Sequence, residues 1–295
     1  MMGQPQQIDT RANLEQGAVR RRVSTTLKRL SRTGALPTLP AVASSALALV
    51  RNPEADIEDL CRIIQTDVGL SARVLRIANS AALGRRRPAR KLSDAVVTVG
   101  LRKTCDVLVA ACARQLYDQS SPRAEVLWNH ALATAVASEE LARKTRRVEP
   151  ARAFLPGLFH DVGRIAFLLA DEISLDVIDQ LIEANEGERV ELEAEWYGFT
   201  HAEGGAVLSE DWGLALEQSD AIRWHHDPVH AGAAKDLAMN LSAADGIAYR
   251  IGCGTSDELP EGTVSLQDLG VAPEDEEALV ERILRAFEAN RELLS

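Results

Sequence analysis

The stretch Leu155–Ala170, reading LPGLFHDVGRIAFLLA, is apolar on nearly every side except at His160, Asp161 and Arg164. A helical segment that is apolar all round belongs at the centre of a bundle. Polar groups placed there need partners, because an unpaired buried charge or dipole costs several kcal/mol or more. His160 and Asp161 are adjacent, and neighbours on a helix diverge by only about 100°. An imidazole nitrogen and a carboxylate oxygen could therefore converge on one ion. Reading outward for further ligands, the chain offers His130 in LWNHAL, His201 in YGFTHAEGG, the pair His225 and His226 in RWHHDP, and Asp245 in SAADGIAYR. Of the six histidines, only His230 stands outside this set. Mixed histidine and carboxylate donors suit iron, manganese or zinc better than calcium or magnesium, which prefer oxygen ligands. The candidate cofactor is thus a divalent metal, iron or manganese first and zinc third, in a mononuclear or dinuclear site.

The remaining chain reads as helix after helix. No strand-like alternation of any length appears, so the expected class is all-α. Residues 1–16 are polar and aperiodic and are expected to form a disordered tail. In residues 17–34, Val19, Val23, Leu27 and Leu30 recur at helical spacing on a basic background, a helix packing one apolar edge. LPTLP, residues 36–40, opens a new unit, with a helix starting near Pro40. Asp56 is placed to cap the helix IEDLCRIIQ. A helical N-terminal lobe is expected over residues 35–121 and a second lobe over residues 122–251, beginning after Pro122. A loop and a final helix follow over residues 252–295. In the second lobe, Thr200 and Glu203 form a T-x-x-E capping box that puts His201 in the first turn of a helix.

Several of these motifs, in order, resemble the HDOD family, a regulatory branch of the HD phosphohydrolase superfamily. They are LPTLP, IIQTDVGLSARVLRIANSA and LSDAVVTVGLRKTCDVLV, within a resemblance that covers roughly residues 30–230. The resemblance implies an N-terminal HDOD lobe and a C-terminal HD-like lobe, working in bacterial signal transduction by contacts with signalling proteins. It also implies that His130, His160, Asp161 and Asp245 bind one ion, with Asp161 bridging to a second held by His201 and His225 or His226. The alternative it carries is a metal-dependent phosphohydrolase acting on a nucleotide or other phosphoester, with Asp161 and Arg164 as catalytic groups. Arg164 stands where HD-GYP relatives carry a lysine, and DPVHAG follows His226 without a GYP sequence, which speaks against cyclic-dinucleotide cleavage of that type. Asn79 and Ser80, at the end of an apolar helix, are read as structural caps.

At 295 residues the chain can bury a substantial core. No apolar run approaches the roughly 20 residues of a bilayer span, and the first residues lack a secretory h-region. The expectation is a cytoplasmic protein without membrane contact. Four cysteines without CxxC spacing read as buried free thiols. The net charge of -11 conceals a division: residues 1–148 carry 24 Lys and Arg against 13 Asp and Glu, and residues 149–295 carry 9 against 31. Mutual attraction of the halves is the expected use of this asymmetry. The basic loop GRRRPARK, residues 84–91, has no aromatic residue interleaved for base stacking, so nucleic acid is set aside as a partner.

Overall fold

The computed structural model describes residues 10–30, 37–52, 54–79, 88–117, 121–170, 172–184, 186–256, 259–260 and 262–294. Among these there are fifteen α-helices and no strand. The first six are α1 (Thr10–Leu30), α2 (Ala41–Val50), α3 (Ile57–Gln65), α4 (Val68–Ala78), α5 (Leu92–Val99) and α6 (Leu101–Ala113). Then come α7 (Pro122–Thr145), α8 (Pro150–Phe159), α9 (Val162–Ala170), α10 (Glu172–Glu183) and α11 (Arg189–Tyr197). The last are α12 (His201–Trp212), α13 (Leu216–Arg223), α14 (Lys235–Arg250) and α15 (Pro273–Leu294).

The expected tail needs correction. Residues 10–16 are the first turns of α1, which begins at Thr10 rather than Gly17. TRANLEQ lacks an apolar stripe but is rich in strong helix formers, so it extends a helix whose later turns supply the packing. Of the proposed stripe, Val23 and Leu27 are buried against the second half of the chain, where α1 packs on α9 and α12. The side chains of Val19 and Leu30, residues 31–36, Ser80 and the arginines Arg85, Arg86 and Arg87 lie outside the described residues.

Capping chemistry sets the helix starts. Asp56 accepts from the Asp59 amide while the Asp59 carboxylate accepts from the Asp56 amide, a reciprocal box at the head of α3. Thr200 and Glu203 do the same for α12. Asn79 ends α4 and uses its amide to receive the Ala89 N–H and to donate to the Ala89 carbonyl, at 2.6 and 3.1 Å. It ties the end of α4 to the chain entering α5.

The centre of the molecule is α7. Its small residues Ala131, Ala133, Ala135 and Ala137 are fully buried and allow α8, α14 and α15 to pack closely on it. The approach to α8 is so near that a Cβ on Gly157 would stand 2.6 Å from the Ala135 Cα. One continuous apolar cluster runs from Val23 through both lobes to Leu294. Part of the charge asymmetry is met by ion pairs between the two halves. Arg20 pairs with Glu210 at 2.9 Å and with Asp211, Arg123 with Asp176 and Asp179 at 2.5 and 2.8 Å, and Lys144 with Asp275 at 2.6 Å. The four cysteines are free, with Cys61, Cys105 and Cys112 buried.

Candidate metal centre

The long apolar stretch is not one helix. It breaks at His160 and Asp161, between α8 and α9, and the break turns both side chains into the bundle. Around them α7 brings His130, α12 brings His201, the end of α13 brings His225 and His226, and α14 brings Asp245. All seven ligand candidates meet. His130, His160 and Asp245 form one group whose ligand atoms lie within 4.8 Å of one another; His201, His225 and His226 form a second; His160, Asp161 and His225 connect them.

The outward nitrogens fix the tautomers. A carbonyl can only accept, so the Nδ1 atoms of His130, His160 and His225 carry the hydrogens they donate to the carbonyls of Cys253, Gly157 and Ile222, at 2.9, 2.8 and 2.7 Å. His201 Nδ1 instead contacts a carboxylate, Glu193 Oε2, at 2.6 Å. The Nε2 atoms therefore face inward. His130 Nε2 lies 3.1 Å from His160 Nε2 and 3.1 Å from Asp245 Oδ1. His201 Nε2 lies 3.2 Å from Asp161 Oδ1 and 2.9 Å from His226 Nε2. His225 Nε2 and Asp245 Oδ1 are buried with no hydrogen-bond partner. Neutral rings that point lone pairs at one another and at carboxylate oxygens repel unless a cation stands between them. The donor set therefore fits divalent metal.

Titration follows the same geometry. Burial, reinforced by His160 and His201, pushes the His225 imidazole down to about 3, and burial with His225 and His201 lowers His226 well below its usual range. Burial would raise the Asp161 carboxyl, but His160, His201 and Arg164 together hold it well below the usual carboxylate range. His130 and His201 shift the other way: burial opposes the charged form, but Asp245 raises His130 and Glu193 with Asp161 raises His201, so a metal would displace a proton from these two and find His225 and His226 already neutral.

Arg164 is placed differently from a free phosphate contact. It is buried, donating to Asp161 Oδ2 at 2.9 Å and to Thr255 Oγ1 at 2.7 Å. The Tyr249 hydroxyl shares that threonine at 3.0 Å. Thr255 and the Cys253 carbonyl belong to the segment after α14, which is thus tied to the centre through Arg164 and the outward nitrogen of His130. His226 is the one ligand candidate that is partly exposed. Glu193, Cys253 and Thr255 went unrecognised in the sequence. Glu193 sits in an acidic surface-like run, and a backbone carbonyl leaves no residue-type signature.

A family model described as the HDOD domain matches residues 36–228. An uncharacterised protein of Treponema pallidum (strain Nichols) is 29% identical over 198 residues, 66% of this chain and 38% of that protein, so the match spans well under half of its relative's length. A Marinobacter aquaeolei VT8 structure, provisionally named a signal transduction protein, is 22% identical with a TM-score of 0.71, covering 95% of this chain and 66% of the other. A Shewanella amazonensis SB2B structure, provisionally named a metal-dependent phosphohydrolase, is 21% identical with a TM-score of 0.65, covering 93% and 99%. At these identities the two structures establish the shared all-α fold.

Proposed function

We propose, from the premise that this chain belongs to the HDOD domain family, that it is a bacterial signal-transduction module built around a two-ion metal centre and acting through contacts with other signalling proteins. The observation that carries the metal is the convergence of Nε2 lone pairs and carboxylate oxygens just described. His130, His160, Asp161 and Asp245 would hold one ion, and His201, His225 and His226 the other, with Asp161 shared. Iron or manganese suits this donor set best, and zinc is the third choice.

Charge supports the occupancy and names the ligand class. With metal in place of the protons that Asp245 and Glu193 favour on His130 and His201, the rings are neutral, and three buried carboxylates, Asp161, Asp245 and Glu193, face one buried guanidinium, Arg164. One divalent ion would cancel the excess, and a second would leave the centre positive by two charges. A phosphoester or nucleotide is the anion that offsets such a centre. The segment Cys253–Thr255 is bonded to His130 and Arg164, so a ligand that engages Arg164 would have to take it from Thr255. That coupling of ligand to surface segment is what a signalling module needs.

Hydrolysis of the phosphoester is a second reading, favoured by the same positive excess. When bound, a pair of divalent ions supplies Lewis-acid stabilisation of charge on a phosphoryl oxygen. Asp161 would orient both halves of the centre, and Arg164, once released from Thr255, would contact phosphate by its planar fork. No helix among the described residues is long and apolar enough to cross a membrane.

Elemental analysis of the purified chain is expected to find close to two equivalents of iron, manganese or zinc, lost in the double variant His160→Ala with Asp161→Ala. Metal-free protein that stays folded and takes up none on reconstitution would refute the centre. Phosphate release from a panel of nucleotides by the loaded protein would move the assignment from signalling module to hydrolase.

A further inference from the structure

The two ion positions are unequal in their protein charge. The first group contains Asp245 and shares Asp161. The second, His201, His225 and His226, has three neutral donors and only the shared carboxylate. Glu193 redresses this at one remove. It is fully buried on α11, and one oxygen, Oε2, accepts the His201 amide at 2.7 Å and contacts His201 Nδ1 at 2.6 Å. Its other oxygen is buried without a partner. His130, His160 and His225 each donate Nδ1–H to a neutral carbonyl; His201 alone among them is held by an anion.

A purely structural role does not account for that choice. Burying a carboxylate and leaving one oxygen unsatisfied costs several kcal/mol, and a neutral acceptor would brace the start of α12 for less. An anionic partner does something a neutral one cannot: it increases the basicity of the opposite ring nitrogen and so strengthens that nitrogen as a ligand. We infer that Glu193 is the positioning residue of the second ion, setting the tautomer and donor strength of His201 so that a carboxylate-poor position is filled. The inference rests on the two-ion reading and assigns a role within it.

Binding of Mn2+ alone to the full chain, followed by equilibrium dialysis and calorimetry, tests it with no reference to turnover. Wild type is expected to take two equivalents. Glu193→Gln keeps an oxygen acceptor for His201 and removes the charge. It is expected to bind the first ion unchanged and the second with affinity reduced roughly tenfold to a hundredfold. Glu193→Ala is expected to fall to one equivalent, and Glu193→Asp to recover part of the loss. If the alanine variant fails to fold, the glutamine variant carries the test. Two equivalents in wild type with an unaltered second affinity in Glu193→Gln would overturn the role of Glu193 and leave the centre standing. A parallel weakening of both ions would also overturn it. Fewer than two equivalents in wild type would overturn the two-ion reading itself.

Discussion

Gly163→Ala is expected to destabilise the chain by on the order of 3 kcal/mol or more and to abolish metal binding with it. In an ordinary helix the change would favour folding by about 1 kcal/mol, since alanine is the better helix former. Here a Cβ would stand 2.1 Å from the His201 carbonyl oxygen and 2.8 Å from its Cα. Those are backbone atoms, so relief requires α9 and α12 to separate, and overpacking outweighs propensity. Separation carries His201 away from Asp161, now 3.2 Å from it, which couples the loss of stability to the loss of the site. Gly205→Ala, whose Cβ would meet the His160 carbonyl oxygen at 3.2 Å and Ile222 Cγ2 at 3.3 Å, is expected to cost less. Urea unfolding of the metal-free proteins, with metal uptake measured on the same samples, checks the pair. Equal stability of Gly163→Ala and wild type would mean that the two helices are not in backbone contact.

The second large effect lies away from the centre. Asp106 is buried on α6, and burial pushes its carboxyl up to about 7, with Lys103 opposing and Glu139 reinforcing the rise. The folded chain thus holds this proton more tightly than the unfolded chain, whose value is near 3.8. The protonated form contributes its full stability below that value, and the contribution is lost as pH rises through about 7. A rise of that size corresponds to on the order of 4 kcal/mol. Asp106→Asn removes the titration. Its stability relative to wild type is expected to increase between pH 4 and pH 8 by up to about 4 kcal/mol in favour of asparagine. The comparison belongs in chelator, where the site histidines titrate alike in both proteins and cancel. Parallel stability profiles would show that Lys103 neutralises Asp106 fully in the fold.

The family resemblance was legible because its motifs are local. Pro40 stands just before α2, Asn79 at the end of α4 and Gly100 between α5 and α6, each close in sequence to the helix end it specifies. The caps were legible for the same reason, since a capping box closes over three residues. Asp56 and Thr200 stand where their side chains must be, and His201 follows from Thr200 by one position. The start of α1 was not legible. Residues 10–16 have no apolar stripe, and they are helical because they continue a helix held by Val23 and Leu27. Asp245 was named as a candidate although it lies beyond residue 228, where the family match ends; its distance from His130 was not available to any reading of spacing.

What the sequence by itself determined is the all-α class, the identity of the metal-capable residues and the starts of α2, α3 and α12, because periodicity, capping and donor chemistry act over a few residues. Tertiary structure decided the rest. It turned the apolar stretch at His160 and Asp161, brought five helices to one point, buried Glu193 behind His201 and locked Arg164 between Asp161 and Thr255. Apart from Arg164 with Asp161, such contacts join residues separated by 8 to 123 positions. They exist only where alanines on α7 and glycines at 157 and 163 let the helices approach to backbone contact, and no local pattern encodes that distance.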